Sequence, residues 1–188
     1  MRKKIRNSAL TLGMATALLL SGCNFSNSTE KVDDDKGNKV NQTLNVTEPA
    51  DVPTLDSTKA HDGIAFTVLN NVNEGLYRQD ENNLPIKALA TEHKESEDKV
   101  VHTFTLRDSK WSNGEPVTAK DFEFAWKRVM KDNSPYAFMF VTAGIKNAEA
   151  ILNAEKDADE LGIKAIDDKT LEVTLEAANP LFQTLLTF

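Results

Sequence analysis

The chain holds one cysteine, Cys23, and its position constrains how anything downstream can fold. With a single thiol no intramolecular disulfide can form, so the structure must be held by apolar burial and hydrogen bonding alone. Cys23 also closes a leader of distinct build. Arg2, Lys3, Lys4 and Arg6 make a cationic start with no acidic residue near it, and residues 9–20 are predominantly apolar. That stretch is shorter than the about 20 apolar residues a membrane-spanning helix needs. It fits the apolar region of a secretory signal peptide, followed by the small residues Ser21 and Gly22 at the cut site.

Leu20-Ser21-Gly22-Cys23 resembles a bacterial lipobox, in which the cysteine thiol takes a diacylglycerol before cleavage. The expectation is a signal peptide over 1–22, lipidation at Cys23, and a mature chain anchored to the outer face of the bacterial cell membrane without spanning it. Two or more acyl chains make such an anchor stable. Residues 23–42 are polar, almost free of apolar side chains and aperiodic, which predicts a flexible tether. Asp33-Asp34-Asp35 falls in this tether without the further oxygen ligands and the glutamate at the twelfth position that an EF-hand requires.

The chain carries a formal charge of −7, and removal of the four basic leader residues leaves −11. A surface of that sign repels nucleic acid, whose binding rests on phosphate neutralisation, and no basic stripe with interleaved aromatics offsets it. A nucleic-acid partner is therefore not expected.

Periodicity gives the elements. Thr43-Leu44-Asn45-Val46 alternates as a short strand, and Ile64, Ala65, Val68, Leu69 and Val72 recur at helical spacing, predicting a helix over 63–73. Gly75-Leu76-Tyr77-Arg78 reads as a strand, residues 80–83 as a turn, residues 100–106 as a strand and Asn113-Gly114 as a turn. Thr118 and Asp121 form a capping-box pattern ahead of Phe122, Ala125, Trp126, Val129 and Met130 on one helical face. A second helix is predicted over 144–154, and Leu171, Val173 and Leu175 alternate with polar residues as a half-buried strand. The chain stops inside the apolar run Leu181, Phe182, Leu185, Leu186 and Phe188, which reads as a truncation that leaves this segment without its partner layer.

The chemistry-bearing motifs are missing: no G-x-S-x-G elbow, no H-E-x-x-H pair and no glycine-rich phosphate loop. His61, His93 and His102 are scattered, none with a second ligand at metal spacing, so neither metal nor cofactor is expected. Trp126 reads as core, while Trp111 beside a turn is open between packing and ligand stacking. These residues give an exported, anchored, non-catalytic α/β protein without naming its ligand.

Several blocks carry a family resemblance. Lys110-Trp111-Ser112-Asn113-Gly114-Glu115-Pro116-Val117-Thr118-Ala119-Lys120-Asp121-Phe122 matches K-W-S-D/N-G-x-P-V-T-A-x-D-F almost throughout. Glu74-Gly75-Leu76-Tyr77, Ser96 to Arg107, Ser134-Pro135-Tyr136-Ala137 and Leu161 to Leu175 add to it. With these the chain resembles, from about Leu44 to its end, the extracellular solute-binding proteins of oligopeptide ABC importers, the OppA-like type. Ser57 stands where proline is usual, and His93 near where tryptophan is common. The resemblance implies a two-lobed α/β fold of the type II periplasmic-binding-protein kind, of which residues 43–74 would begin the large lobe and 75–188 form most of the small lobe. It implies capture of an oligopeptide for a membrane-embedded ABC permease with its ATPases. The same scaffold serving a nickel complex, haem or a sugar, and a surface lipoprotein or adhesin without transport, stay open. It further implies peptide contacts from the stretch His61, Asp62, Gly63 and Ile64, with Gly63 allowing close backbone approach, and from Tyr136. The alternative for Tyr136 is packing beside Phe138 and Phe140. His61 replaces an acidic residue common at its position.

Overall fold

The computed structural model describes residues 43–187; the leader, Cys23, the tether and Phe188 lie outside the described residues. The chain divides into two units, 1–45 and 46–188. Of the first, residues 43–45 are described and adopt no regular structure, so the strand predicted over 43–46 is not formed.

The second unit centres on a four-stranded antiparallel sheet. Its strands are β3 (Ala90–Glu95), β4 (Val101–Leu106), β5 (Ile163–Ala165) and β6 (Thr170–Thr174), in the order β3-β4-β6-β5. A separate hairpin joins β1 (Tyr77–Gln79) to β2 (Pro85–Lys87). Pairing of Phe104 with Leu171 and of His102 with Val173 puts these four side chains on one face. Period-two alternation therefore loads that face with Phe104, Leu106, Leu171 and Val173, all buried, while Thr103, Thr105 and Glu172 point to the other side. His102 shares the core face and is only 3% exposed, so its ring nitrogens must find partners inside the protein.

Helix α2 (Ala119–Lys131) packs on β5 and β6. Its start rests on Asp121, whose carboxylate accepts the Thr118 amide (2.7 Å) and the Thr118 hydroxyl (3.0 Å). Met130 is buried, and Phe122, Trp126 and Val129 pack half-buried against the core; the Trp126 and Phe140 rings meet edge-on at 5.3 Å. Ala125, placed on the apolar face by its spacing, is exposed.

The helix predicted over 144–154 is corrected. Helix α3 (Ala137–Ala143) ends at Gly144 (φ 75°), and α4 (Ala148–Leu152) begins after Asn147 (φ 66°). Two left-handed residues within four positions cannot continue a helix, and Ile145 between them bridges to Leu175 instead. The final apolar run is partly covered, with Leu181 exposed. Phe182, in the short helix α5 (Phe182–Leu185), and Leu186 are buried in the same core as Phe104. Helix α1 (Gly63–Val72) keeps its predicted place, with Ala60, Ala65 and Leu69 forming a small cluster of their own. Among the described residues no helix is long and apolar enough to cross a membrane.

Because both hydrogen bonds at the head of α2 end on one carboxylate, Asp121→Ala should lower stability by about 1–2 kcal/mol in urea unfolding. An unchanged unfolding midpoint and slope would show that the cap contributes nothing.

Candidate functional site

The stretch that leads into α1 is built from local turns. Thr54 Oγ1 accepts the Asp56 amide (3.1 Å), and Asp56 Oδ1 accepts the amide (3.1 Å) and hydroxyl (2.8 Å) of Thr58. The amides of Lys59 and Ala60 both donate to the Asp56 carbonyl at 2.9 Å. Such short polar side chains closing on nearby backbone favour turns over helix or sheet. Asp62 then caps α1: its backbone is extended and Oδ1 accepts the Ala65 amide at 2.9 Å.

Three contacts tie this stretch to residues more than 70 positions later. The Arg128 guanidinium, in the last turn of α2, donates to Asp56 Oδ2. Ser134 Oγ donates to the Thr58 carbonyl at 2.7 Å, with both residues buried, and accepts the Tyr136 amide at 3.2 Å. Tyr136 Oη donates to the Ala60 carbonyl, and its ring meets Phe66 edge-on at 6.4 Å. Tyr136 thus stands against the 60–64 stretch, and its ring partner is Phe66 rather than Phe138.

The four residues expected beside Tyr136 differ in what surrounds them. His61 is exposed and its Nδ1 lies 3.1 Å from the Lys59 carbonyl; Ile64 is half-buried. Among the described residues a side-chain carbon at Gly63 would meet nothing within 4 Å beyond its own helix backbone and chain neighbours, so the space beside it is open. Asp62 carries the one unusual group. Its Oδ2 is buried and, among the described residues, is the one buried side-chain nitrogen or oxygen without a hydrogen-bond partner. A carboxylate oxygen in that condition calls for a donor. The supporting residues Thr58, Arg128 and Ser134 escaped the sequence reading. The available signal was the Asp56-x-Thr58 turn pattern, which marks a turn but not the distant carbonyl acceptor it offers.

A second polar cluster lies on the core face of the sheet. His93 and His102 look scattered in sequence, but β3 and β4 pair so that Glu95 faces His102 and His93 faces Phe104. Cross-strand diagonals bring side chains within reach without any local spacing. His93 Nε2 and His102 Nδ1 are 2.9 Å apart, His93 Nδ1 is 3.0 Å from Tyr77 Oη, and His102 Nε2 is 3.1 Å from the Lys99 carbonyl. The carbonyl can only accept, so His102 carries its proton on Nε2, His93 donates from Nε2, and Tyr77 donates to His93 Nδ1. Burial holds the affinity of both rings for a second proton below the usual histidine range, helped at His93 by the neighbouring His102. The rings are wedged in aromatics, His93 on Phe104 (4.4 Å) and His102 against Phe182 (4.5 Å).

Comparison with known proteins places the chain among relatives. The model of the bacterial extracellular solute-binding proteins, family 5 (middle), matches residues 85–188. The oligopeptide-binding protein OppA of Bacillus subtilis (strain 168) is 36% identical over 186 residues, which are 98% of this chain and 34% of that protein. Among solved structures, Listeria monocytogenes OppA bound to peptide superposes with a TM-score of 0.70 at 45% identity, covering 77% of this chain and 29% of that one. The substrate-binding domain of an oligopeptide ABC transporter from Bacillus anthracis str. Ames gives 0.70 at 49% identity, covering 76% and 28%. The chain spans about a third of the length of the curated relatives it matches.

The Asp56 tie makes the stretch pH-sensitive. Hydrogen bonds from Thr58 and then Arg128 lower the Asp56 carboxyl to about 2. A carboxyl depressed in the folded state stabilises fully above its unfolded value of about 4 and loses that contribution as pH falls through the folded value. Between pH 4 and 2, therefore, the melting temperature of the native protein should fall more steeply than that of Asp56→Asn. Parallel curves would show that the tie carries no folding free energy.

Proposed function

This chain belongs to the bacterial extracellular solute-binding proteins of family 5, and on that footing we propose that it captures oligopeptides outside the cytoplasm for a membrane-embedded ABC permease and its ATPases. The match of the family model over residues 85–188 is the observation that carries the reading. The similarity to a Listeria monocytogenes relative solved with peptide bound supports peptide as the solute class. In this reading residues 43–74 open the large lobe of a type II binding-protein fold and 75–188 form most of the small lobe. The Leu20-Ser21-Gly22-Cys23 motif supports a signal peptide over 1–22, a lipid on Cys23 and a tether over 23–42 that holds the receptor on the outer face of the membrane.

A receptor for many sequences must grip what all peptides share, the backbone. Asp62 shapes the 61–64 stretch: one carboxylate oxygen is fixed by the helix amide, and the other is buried beside it without a donor. The open space beside Gly63 admits the ligand backbone. Ile64 offers apolar contact, while His61, exposed and turned toward the Lys59 carbonyl, is a weaker contact. Tyr136 both presents a half-exposed ring and, through Ala60, holds the stretch in place.

Two experiments test this. Titration calorimetry on the exported protein, purified from its own cells, should give measurable affinity for several unrelated oligopeptides. Asp62→Asn keeps the capping oxygen but replaces the free one by a donor, so it should weaken all of them by a similar factor at nearly unchanged melting temperature. Absence of peptide binding by the native protein would remove the reading, and unchanged affinities in the variant would remove Asp62 from the site. For the anchor, Cys23→Ala should abolish labelling by a radioactive fatty acid and release the protein from the membrane fraction. Continued membrane retention with no label on the native protein would rule the lipid out.

A further inference from the structure

We propose that His93, Glu95 and His102 form a site for a divalent transition-metal ion of the Zn²⁺ class. The site is carried by β3 and β4, whereas the proposed peptide contacts lie on residues 61–64 and 136.

The three candidate donor atoms form a closed triangle. His93 Nε2 to His102 Nδ1 is 2.9 Å, His93 Nε2 to Glu95 Oε1 is 4.0 Å, and His102 Nδ1 to Glu95 Oε1 is 3.9 Å. The point equidistant from three atoms so spaced lies about 2.1 Å from each, which is the bond length of Zn²⁺ to imidazole nitrogen and falls within its range to carboxylate oxygen. Glu95 makes no hydrogen bond to either ring at these separations, although its carboxylate faces both nitrogens. Two neutral imidazoles and one carboxylate are a donor set that suits Zn²⁺ and its neighbours better than Mg²⁺ or Ca²⁺.

The surroundings already supply outer partners of the kind that orient metal-binding histidines. His102 donates its remote Nε2–H to the Lys99 carbonyl, which leaves Nδ1 as the free lone pair facing the centre. His93 needs one change of tautomer: its proton moves from Nε2 to Nδ1, where Tyr77 Oη accepts it, and Nε2 turns its lone pair to the ion. No proton is gained or lost by the pair. The Phe104 ring stacked on His93 and the Phe182 ring tilted against His102 hold both imidazoles before any ion arrives. Glu95, a third exposed in its side chain, leaves the centre open on the solvent side, where water completes the coordination.

The test uses the full chain carrying Cys23→Ala, which removes the only competing thiol. After chelator treatment it is titrated with ZnCl₂ against a chromophoric zinc chelator, and with CoCl₂ to read the ligand-field spectrum of the bound ion. One equivalent of Zn²⁺ should bind, raise the melting temperature, and withstand excess Mg²⁺. Glu95→Gln, altered at an exposed position, should keep the circular dichroism of the parent while losing zinc affinity and the thermal shift. Tyr77→Phe, which removes only the outer partner of His93, should weaken Zn²⁺ by about 10–100-fold and alter the Co²⁺ spectrum. No Zn²⁺ uptake by the parent, or unchanged affinity in Glu95→Gln, overturns the site. Stoichiometric binding that survives in a folded His93→Gln, His102→Gln double variant overturns it as well.

Discussion

The hydrogen bond from Ser134 Oγ to the Thr58 carbonyl is the contact on which the proposed ligand-facing stretch depends. Both residues are buried, so the bond is screened from water and has no solvent substitute. Leaving that carbonyl unpaired would cost about 1–3 kcal/mol. It joins segments 76 residues apart, and everything nearby uses the same junction. Ser134 also receives the Tyr136 amide, which sets the tyrosine where its hydroxyl reaches Ala60. Ala60 in turn precedes the Asp62 cap by two residues. The orientation of one carboxylate, and of the helix it starts, thus traces back to a serine that carries no ligand chemistry.

The sheet provides the rigid half of this arrangement. Its core face is apolar except for the histidine pair and the neighbouring Glu95, and the pair is tolerated because each ring nitrogen has a partner. A buried polar chain of this kind is favourable only when complete. Tyr77, His93, His102 and Lys99 complete it across β1, β3, β4 and the turn between the last two. The same chain orients the rings for the proposed ion: the outer bond of His102 is already made, and that of His93 needs only its direction reversed.

Much of the architecture was legible where a periodic pattern met a capping signal. Helix α2 was visible because its apolar spacing coincided with the Thr118 and Asp121 start, and β4 and β6 because their alternation is regular. Strand β3 was not visible: Thr91-Glu92-His93-Lys94-Glu95 is polar on both faces, and pairing with β4 rather than its own composition makes it a strand. The 144–154 region misled because apolar residues there recur at helical spacing while Gly144 and Asn147 break the backbone. At the candidate site, resemblance supplied residues 61–64 and Tyr136. That they meet, and that Arg128 and Ser134 hold them together, is a tertiary fact with no local signature. The histidine pair is the same case in a sheet.

Backbone hydrogen exchange on the exported protein tests the central claim, that the 56–66 stretch is fixed by its distant ties. The amides of Lys59 and Ala60, both donated to the Asp56 carbonyl, report on it directly. In the native protein they should exchange slowly, and Ser134→Ala together with Tyr136→Phe should bring them close to the rates of an unstructured chain while the β4 amides stay protected. Fast exchange at Lys59 and Ala60 in the native protein, or undiminished protection in the double variant, would contradict the account.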